Sequence, residues 1–203
     1  MQASLFGEPE LKPALSQWFT PPWLARKLAT WVPRGARVLE PSCGRGSLIG
    51  GLLAAGHSPE CIAACDVDPD WVEHTCSRYP LVAISCHDFL SPIPFYASNS
   101  FEVVEMNPPF EEEGHLRFVL RGLELAPAVV GVFPVSFEFG RERDRALWAS
   151  AGVVTRRARL PARVDYGGDQ SPSFDSVALR IERRDRHRMP REVRQVLEEV
   201  WLP

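Results

Sequence analysis

Apolar positions along the chain recur in two alternating rhythms. Leu24, Leu28 and Trp31 follow Thr20-Pro21-Pro22 at helical spacing. The Thr20 hydroxyl suits a cap and proline is tolerated in a first turn, so a helix is predicted there, ended by Pro33 and Gly35. Short apolar runs at 37–40, 61–67, 82–85, 101–106, 129–135, 153–160 and 176–181 read as seven strands. Helical periodicity fills the gaps at 47–55, 69–78, 116–126 and 141–150, with a final helix predicted over 191–201. Residues 1–17 read as an irregular lead-in, and no repeat or low-complexity linker interrupts the pattern. Strands alternating with helices predict an α/β fold, a mostly parallel seven-stranded sheet with helices on both faces. Such sheets bind ligands beyond the carboxyl ends of their strands, where the strand order reverses. Residues 1–203 are read as a single domain.

Composition narrows the class without naming a function. The 203 residues are 45% hydrophobic and 24% charged, ordinary globular values that exclude a disordered, collagen-like or coiled-coil chain. No run approaches 18 apolar residues, so no membrane partner is expected. The first residues lack the basic start and apolar core of a secretory signal, and a cytoplasmic protein is expected. Five cysteines match no disulfide framework or zinc module and are read as structural thiols, with no metal.

Charge is unevenly spread. Residues 1–140 carry 9 basic against 16 acidic side chains, whereas 141–203 carry 14, all arginines, against 10. Arginine suits phosphate, so Arg156, Arg157, Arg159 and Arg163 are the candidates for nucleic-acid contact, beside the plainer reading of a solvated charged surface.

The chemistry-bearing residues fall at predicted strand ends. Glu40-Pro41-Ser42-Cys43-Gly44-Arg45-Gly46 closes the first strand, and its glycines permit a sharp turn and close approach to a ligand. Ile49 stands where a dinucleotide fingerprint needs its third glycine, and no phosphate loop is present. An acidic group ahead of the glycines disfavours a diphosphate and suits a cation such as S-adenosylmethionine. Asp66 ends the second strand, where a carboxylate can accept both ribose hydroxyls. Asp88 and Phe89 follow the third, placed to accept from an adenine amine and to lie against its ring. Asn107-Pro108-Pro109-Phe110 follows the fourth. Two prolines fix that backbone and remove two donors. The Asn107 side-chain oxygen and the Pro108 carbonyl can then accept from one planar NH2, with Phe110 facing its ring.

Together these segments resemble the amino-directed class I methyltransferases, and among them DNA N6-adenine methyltransferases of the gamma motif order, including small phage-type enzymes. The resemblance covers residues 18–110 well; residues 127–181 follow only in outline, through Phe133-Pro134 and Ser171–Phe174. It implies a Rossmann-like fold with S-adenosylmethionine as cofactor. Thr20 and Pro21 would approach the methionine carboxylate; Glu40, Pro41, Cys43, Gly44 and Gly46 would line the methionine part. Asp66 would hold the ribose, Asp88 and Phe89 the adenine. Asn107, Pro108, Pro109 and Phe110 would hold the target base, and Phe174 would close on its other face.

Two departures keep other readings open. The chain has no room for a separate target-recognition region, which points to a partner subunit or a homodimer. Phe110 replaces the tyrosine of many DNA enzymes, and RNA is the alternative nucleic acid. Release-factor glutamine methyltransferases resemble the chain less, since their glycine motif reads DLGTGSG where this one has EPSCGRG. A cofactor-binding relic is disfavoured by the intact Asn107–Phe110. His57 and His115 read as loop residues, and Glu111–Glu113 form an acidic run with no assigned role.

Overall fold

The computed structural model describes residues 19–91, 96–109, 114–161, 164–166, 175–187 and 195–201. One sheet runs through them. Its strands are β1 (Val38–Glu40), β2 (Ile62–Asp66), β3 (Ala83–Cys86), β4 (Val103–Met106), β5 (Ala128–Pro134), β6 (Gly152–Arg159), β7 (Ser176–Arg183) and β8 (Gln195–Trp201). Their spatial order is β3-β2-β1-β4-β5-β7-β6-β8. Strands β1 to β5 pair in parallel, β7 runs antiparallel to both β5 and β6, and β8 lies parallel to β6. The seven predicted strands all form, and an eighth is added at the edge.

That eighth strand replaces the helix predicted over 191–201. Apolar residues four apart make the segment look helical, but β6 would otherwise present an open edge. Pairing from Val154↔Gln195 to Arg159↔Trp201 satisfies that edge, and tertiary context overrides local propensity.

Helices α1 (Pro22–Ala29) and α2 (Ser47–Ala54) cover one face, packing on Val38, Ile62, Val103 and Val130. They cross closely at Gly51, where an added Cβ would lie 2.6 Å from the Ala25 carbonyl. Helix α3 (Pro69–Arg78) follows β2. On the other face α4 (Gly114–Leu125) packs on Leu39, Val104, Met106 and Val129. The helix predicted at 141–150 is a single turn, Arg141–Arg143, continuing as a wider π-helical segment, Asp144–Ala151. Alternate residues of β1, β2, β4, β5, β6 and β7 feed the two cores, as the pleat requires.

Two local expectations are corrected. The N-cap of α1 is Pro21, with no side-chain cap, so buried Thr20 does not cap the helix. His57 lies in a loop as expected, though buried, whereas His115 is helical as well as buried. His115 sits in α4 beside Phe133 and Phe137, and burial together with nearby Arg143 lowers its pKa to about 4.

The topology also fixes where a ligand fits. After β1 the chain moves outward through β2 and β3, then returns to place β4 on the other side of β1. The order therefore reverses between β1 and β4, and the crevice outside their carboxyl ends is the natural site.

Candidate functional site

The crevice is floored by the turn after β1. Gly44 and Gly46 adopt φ of 44° and 72°, the left-handed region that glycine enters without strain. The Cys43 amide donates to the Cys65 carbonyl at 3.0 Å, lacing the turn to β2. The Thr75 hydroxyl donates to the Gly44 carbonyl at 2.6 Å, and a Cβ on Gly46 would lie 2.6 Å from the Tyr79 ring. Gly46 is thus needed for helix α3 to pack against the turn. Pro41 and Cys43 are buried, and burial beside Glu40 and Asp66 pushes the Cys43 thiol pKa up.

Acidic side chains surround this turn, and the structure separates them by environment. Glu40, 2% exposed, accepts from the Ile49 amide at 3.2 Å near the start of α2, where the positive helix end favours an anion. Glu105 on β4 is 0% exposed, and among the described residues neither of its carboxyl oxygens has a hydrogen-bond partner. The parallel register pairs Val38 with Val103 and Leu39 with Val104, so Glu105 falls beside Glu40. Desolvation raises both carboxyls well above the usual range, and Glu105 adds to the rise at Glu40.

Asp66 ends β2 and is tied inward. Its Oδ2 accepts from the Gly44 amide at 2.8 Å and its Oδ1 from the Asp68 amide at 3.0 Å. The carboxylate fixes the glycine turn, a role that spacing alone did not indicate. Asp68 caps α3 through the Asp70 amide at 3.0 Å. Exposed Asp88 accepts from the Leu90 amide at 2.8 Å in a tight turn. Phe89 departs from expectation: it is 4% exposed and packs on Phe118, ring centroids 5.1 Å apart, beneath α4. Its ring is spent on the core and offers no open face to a nucleoside. Val67, 58% exposed directly after Asp66, offers an apolar surface there instead.

Strand β4 delivers Asn107-Pro108-Pro109 to the same crevice. The Ser42 hydroxyl of the glycine turn donates to the Asn107 carbonyl at 3.2 Å, joining the two segments directly. Pro108 is buried and Pro109 exposed. Phe110, Phe174, Arg163 and the acidic run Glu111–Glu113 lie outside the described residues. Thr20 and Pro21 border the glycine turn's outer side, where the Phe19 amide donates to the Tyr166 carbonyl at 2.8 Å.

The arginines of β6 divide by sheet face. Arg157 forms an ion pair with Glu138 at 2.9 and 3.0 Å, so the expected phosphate contact is corrected: its guanidinium is consumed by a buried carboxylate. Arg156 lines a cavity with Trp31 and Arg180 at the far end of α1, away from the crevice. Arg159 is exposed near the carboxyl end of β6.

Three residues near the crevice escaped the sequence reading. Glu105 was visible as a charge inside an apolar run, FEVVEM, and that oddity was its signal. Tyr96, whose ring lies 5.4 Å from His87, is brought in by a loop and gave none. Val67 looked like one more strand residue. Among the described residues no three His, Cys, Asp or Glu side chains converge as a metal site would require, and no helix is long and apolar enough to cross a membrane. All five cysteines are free thiols.

Comparison with known proteins shows the fold. No family's sequence profile and no curated protein matches the chain. Among solved structures, a Pyrococcus horikoshii protein described as a candidate RNA methyltransferase is similar at 21% identity and TM-score 0.66, over 88% of this chain and 93% of that one. The M protein of the type I restriction enzyme EcoKI is similar at 15% identity and TM-score 0.64, over 83% of this chain and 44% of that one. The 23S rRNA methyltransferase ErmE is similar at 19% identity and TM-score 0.60, over 83% and 70%. The shared architecture is the Rossmann-like class I methyltransferase fold.

Proposed function

We propose that this protein is an S-adenosylmethionine-dependent methyltransferase acting on the exocyclic N6 of adenine in DNA. The observation that carries the reading is the Ser42–Asn107 hydrogen bond, which joins the glycine turn of β1 to the Asn-Pro-Pro segment of β4 at the sheet's switch point. One segment suits a cofactor, the other an amine, and 3.2 Å separates their linked atoms.

The donor set fits that cofactor. Three strand ends present the carboxyl groups of Glu40, Asp66 and Asp88, acceptors that suit a cationic nucleoside with free hydroxyls and disfavour a diphosphate. Glu40 and Glu105 lie buried beneath the turn, and a cation bound above them would favour their ionised forms and so lower their raised pKa values. Asp66 shapes the turn and leaves Val67 as the apolar wall. When bound, the cofactor supplies an electrophilic methyl on a sulfonium.

The chain's own residues then orient the acceptor. The Ser42 hydroxyl holds the Asn107 main-chain oxygen, and the Asn107 side-chain oxygen and the Pro108 carbonyl are the acceptors proposed for the adenine amine. Both prolines lack an N–H, so no donor competes at that edge. Accepting both amine hydrogens favours the nitrogen as it becomes tetrahedral and positive, an interaction stronger in the transition state than in the ground state. Fixing the nitrogen in line with the electrophile supplies the remainder through proximity. A duplex target must expose its adenine by base flipping.

Nucleoside mass spectrometry after incubation with S-adenosylmethionine and unmethylated DNA or RNA tests the reading. N6-methyladenine in DNA is the expected result. Methyladenine only in RNA would overturn the choice of nucleic acid while keeping the site chemistry. No methylated base from either polymer would overturn the substrate class.

A further inference from the structure

Outside the crevice, a cavity of about 740 Å³ opens between the start of α1, the flank of α2 and the end of α3. Three guanidinium groups line it, those of Arg26, Arg45 and Arg78, against a single carboxylate, Asp165. We propose that this cavity binds a backbone phosphate of the nucleic-acid substrate, a contact that rests on the reading given above.

The way these arginines are held supports an anion. Arg45 lies 3.9 Å above the Phe19 ring centroid and 5.3 Å from that of Trp71. Arg78 lies 5.3 Å from the Tyr79 ring centroid. Aromatic faces orient a guanidinium without neutralising it, and leave its N–H edge open to oxygen acceptors. None of the three is in an ion pair with a carboxylate among the described residues. By contrast Arg37, Arg121, Arg157, Arg180 and Arg183 are each matched to an acid.

The cavity is also built by the chain rather than left over. Tyr79 lies across α2, its hydroxyl 2.7 Å from where a Cβ on Gly50 would stand and its ring edge 2.6 Å from one on Gly46. Two glycines one turn apart admit the ring that forms the wall. Position favours a strand over a free anion. Arg45 sits between Gly44 and Gly46 of the crevice turn, so the cavity adjoins the crevice through that turn. A strand whose adenine enters the crevice would carry its neighbouring phosphates past this rim. Sequence reading placed the phosphate contacts on Arg156, Arg157 and Arg159 of β6 and on Arg163; the fold gathers three other arginines, 19 and 33 residues apart, at the cavity.

The test is binding of a fluorescent single-stranded oligonucleotide, read by anisotropy over a salt series, without methyl transfer. Arg26→Gln combined with Arg78→Gln leaves the glycine turn untouched. It should weaken binding roughly tenfold or more and flatten the plot of log Kd against log salt by about 0.7, the contribution of one phosphate contact. Affinity for S-adenosylmethionine should stay unchanged, and Arg26→Lys with Arg78→Lys should restore the slope. An unchanged slope in the glutamine variant would overturn the inference. So would inorganic phosphate, at matched ionic strength, erasing the difference between variant and parent, since that marks a free-anion site. Strand binding that depends on these arginines, without any methylated base, would leave the inference standing and remove the N6-adenine reading. Methylated DNA with an unchanged slope would do the reverse.

Discussion

The two halves of the sheet spend their charges differently. In the parallel half, Glu40 and Glu105 are buried side by side with no cation between them among the described residues, and Asp66 accepts from the Gly44 and Asp68 amides. In the half built by β5, β6 and β7, charges come in pairs. Arg157 meets Glu138, Arg180 meets Glu182, Arg183 meets Asp185, and His187 adds to Glu182 at 3.0 Å. Compensated charge serves the fold, because each partner offsets the other's lost hydration. Uncompensated buried charge costs stability and persists where a ligand or a reaction uses its field. Part of the arginine-rich third, which looks like a binding face in the sequence, is therefore bracing by Arg157, Arg180 and Arg183, while the acidic half carries the candidate site.

The sharpest break of this comparison is Asn107→Ala. Removing an oriented hydrogen-bonding group from a reacting centre costs roughly 100- to 1,000-fold in kcat. Transfer to adenine should fall by that order, while calorimetric affinity for S-adenosylmethionine survives. Loss of cofactor binding together with activity would place Asn107 in the wrong role.

On the braced side, Arg157→Ala should strand Glu138, whose side chain is 5% exposed. Leaving one partner of a buried pair costs about 3 kcal/mol, or roughly 6–12 °C in Tm for a chain of this size. The salt dependence of nucleic-acid binding should not move. A stable variant with a flatter salt slope would return Arg157 to the nucleic-acid face and erase the contrast between the halves.

Asp66→Ala sits between these cases. It removes two acceptors from the glycine turn, to Gly44 and Asp68, each a charge-assisted bond of about 1.5–3 kcal/mol. Cofactor affinity should drop on the order of tenfold or more, read by calorimetry, before kcat at saturation changes. A kcat loss at unchanged affinity would show that Asp66 acts on the reaction rather than on the turn.

How legible this was differs along the chain. Strands β1, β2, β4 and β5 were legible as short apolar runs because both their faces are buried, and helices α1 and α4 as apolar stripes because each buries one face. The segment at 195–201 misled because residues four apart satisfy a helix pattern locally while an open β6 edge, 40 residues earlier, decides the matter. The glycine turn and Asn107-Pro108-Pro109 were readable as motifs, since backbone restriction is written in Gly and Pro. Ion pairing was not: Glu138 reaches Arg157 only once β5 and β6 are folded into one sheet. Phe89 misled for the same reason, its partner Phe118 lying on a helix 29 residues away.

The smallest expected effect tests the uncompensated half itself. Glu105 faces Glu40, with Cys43 and Asp66 close to that pair, and its carboxyl is raised well above the usual range by burial. A carboxyl whose folded pKa exceeds its unfolded value, about 4.3, favours the fold while protonated. That contribution is complete below the unfolded value and is lost as pH rises through the folded one. The parent should therefore lose stability as pH climbs from about 4.3, and Glu105→Gln should remove part of that loss. Its Tm should exceed the parent's at pH 8, by about 2–4 °C for each kcal/mol recovered, with a smaller gap at pH 5. Parallel Tm profiles across that range would mean that Glu105 carries no ionisation cost, and the carboxylate pair would cease to distinguish one half of the sheet from the other.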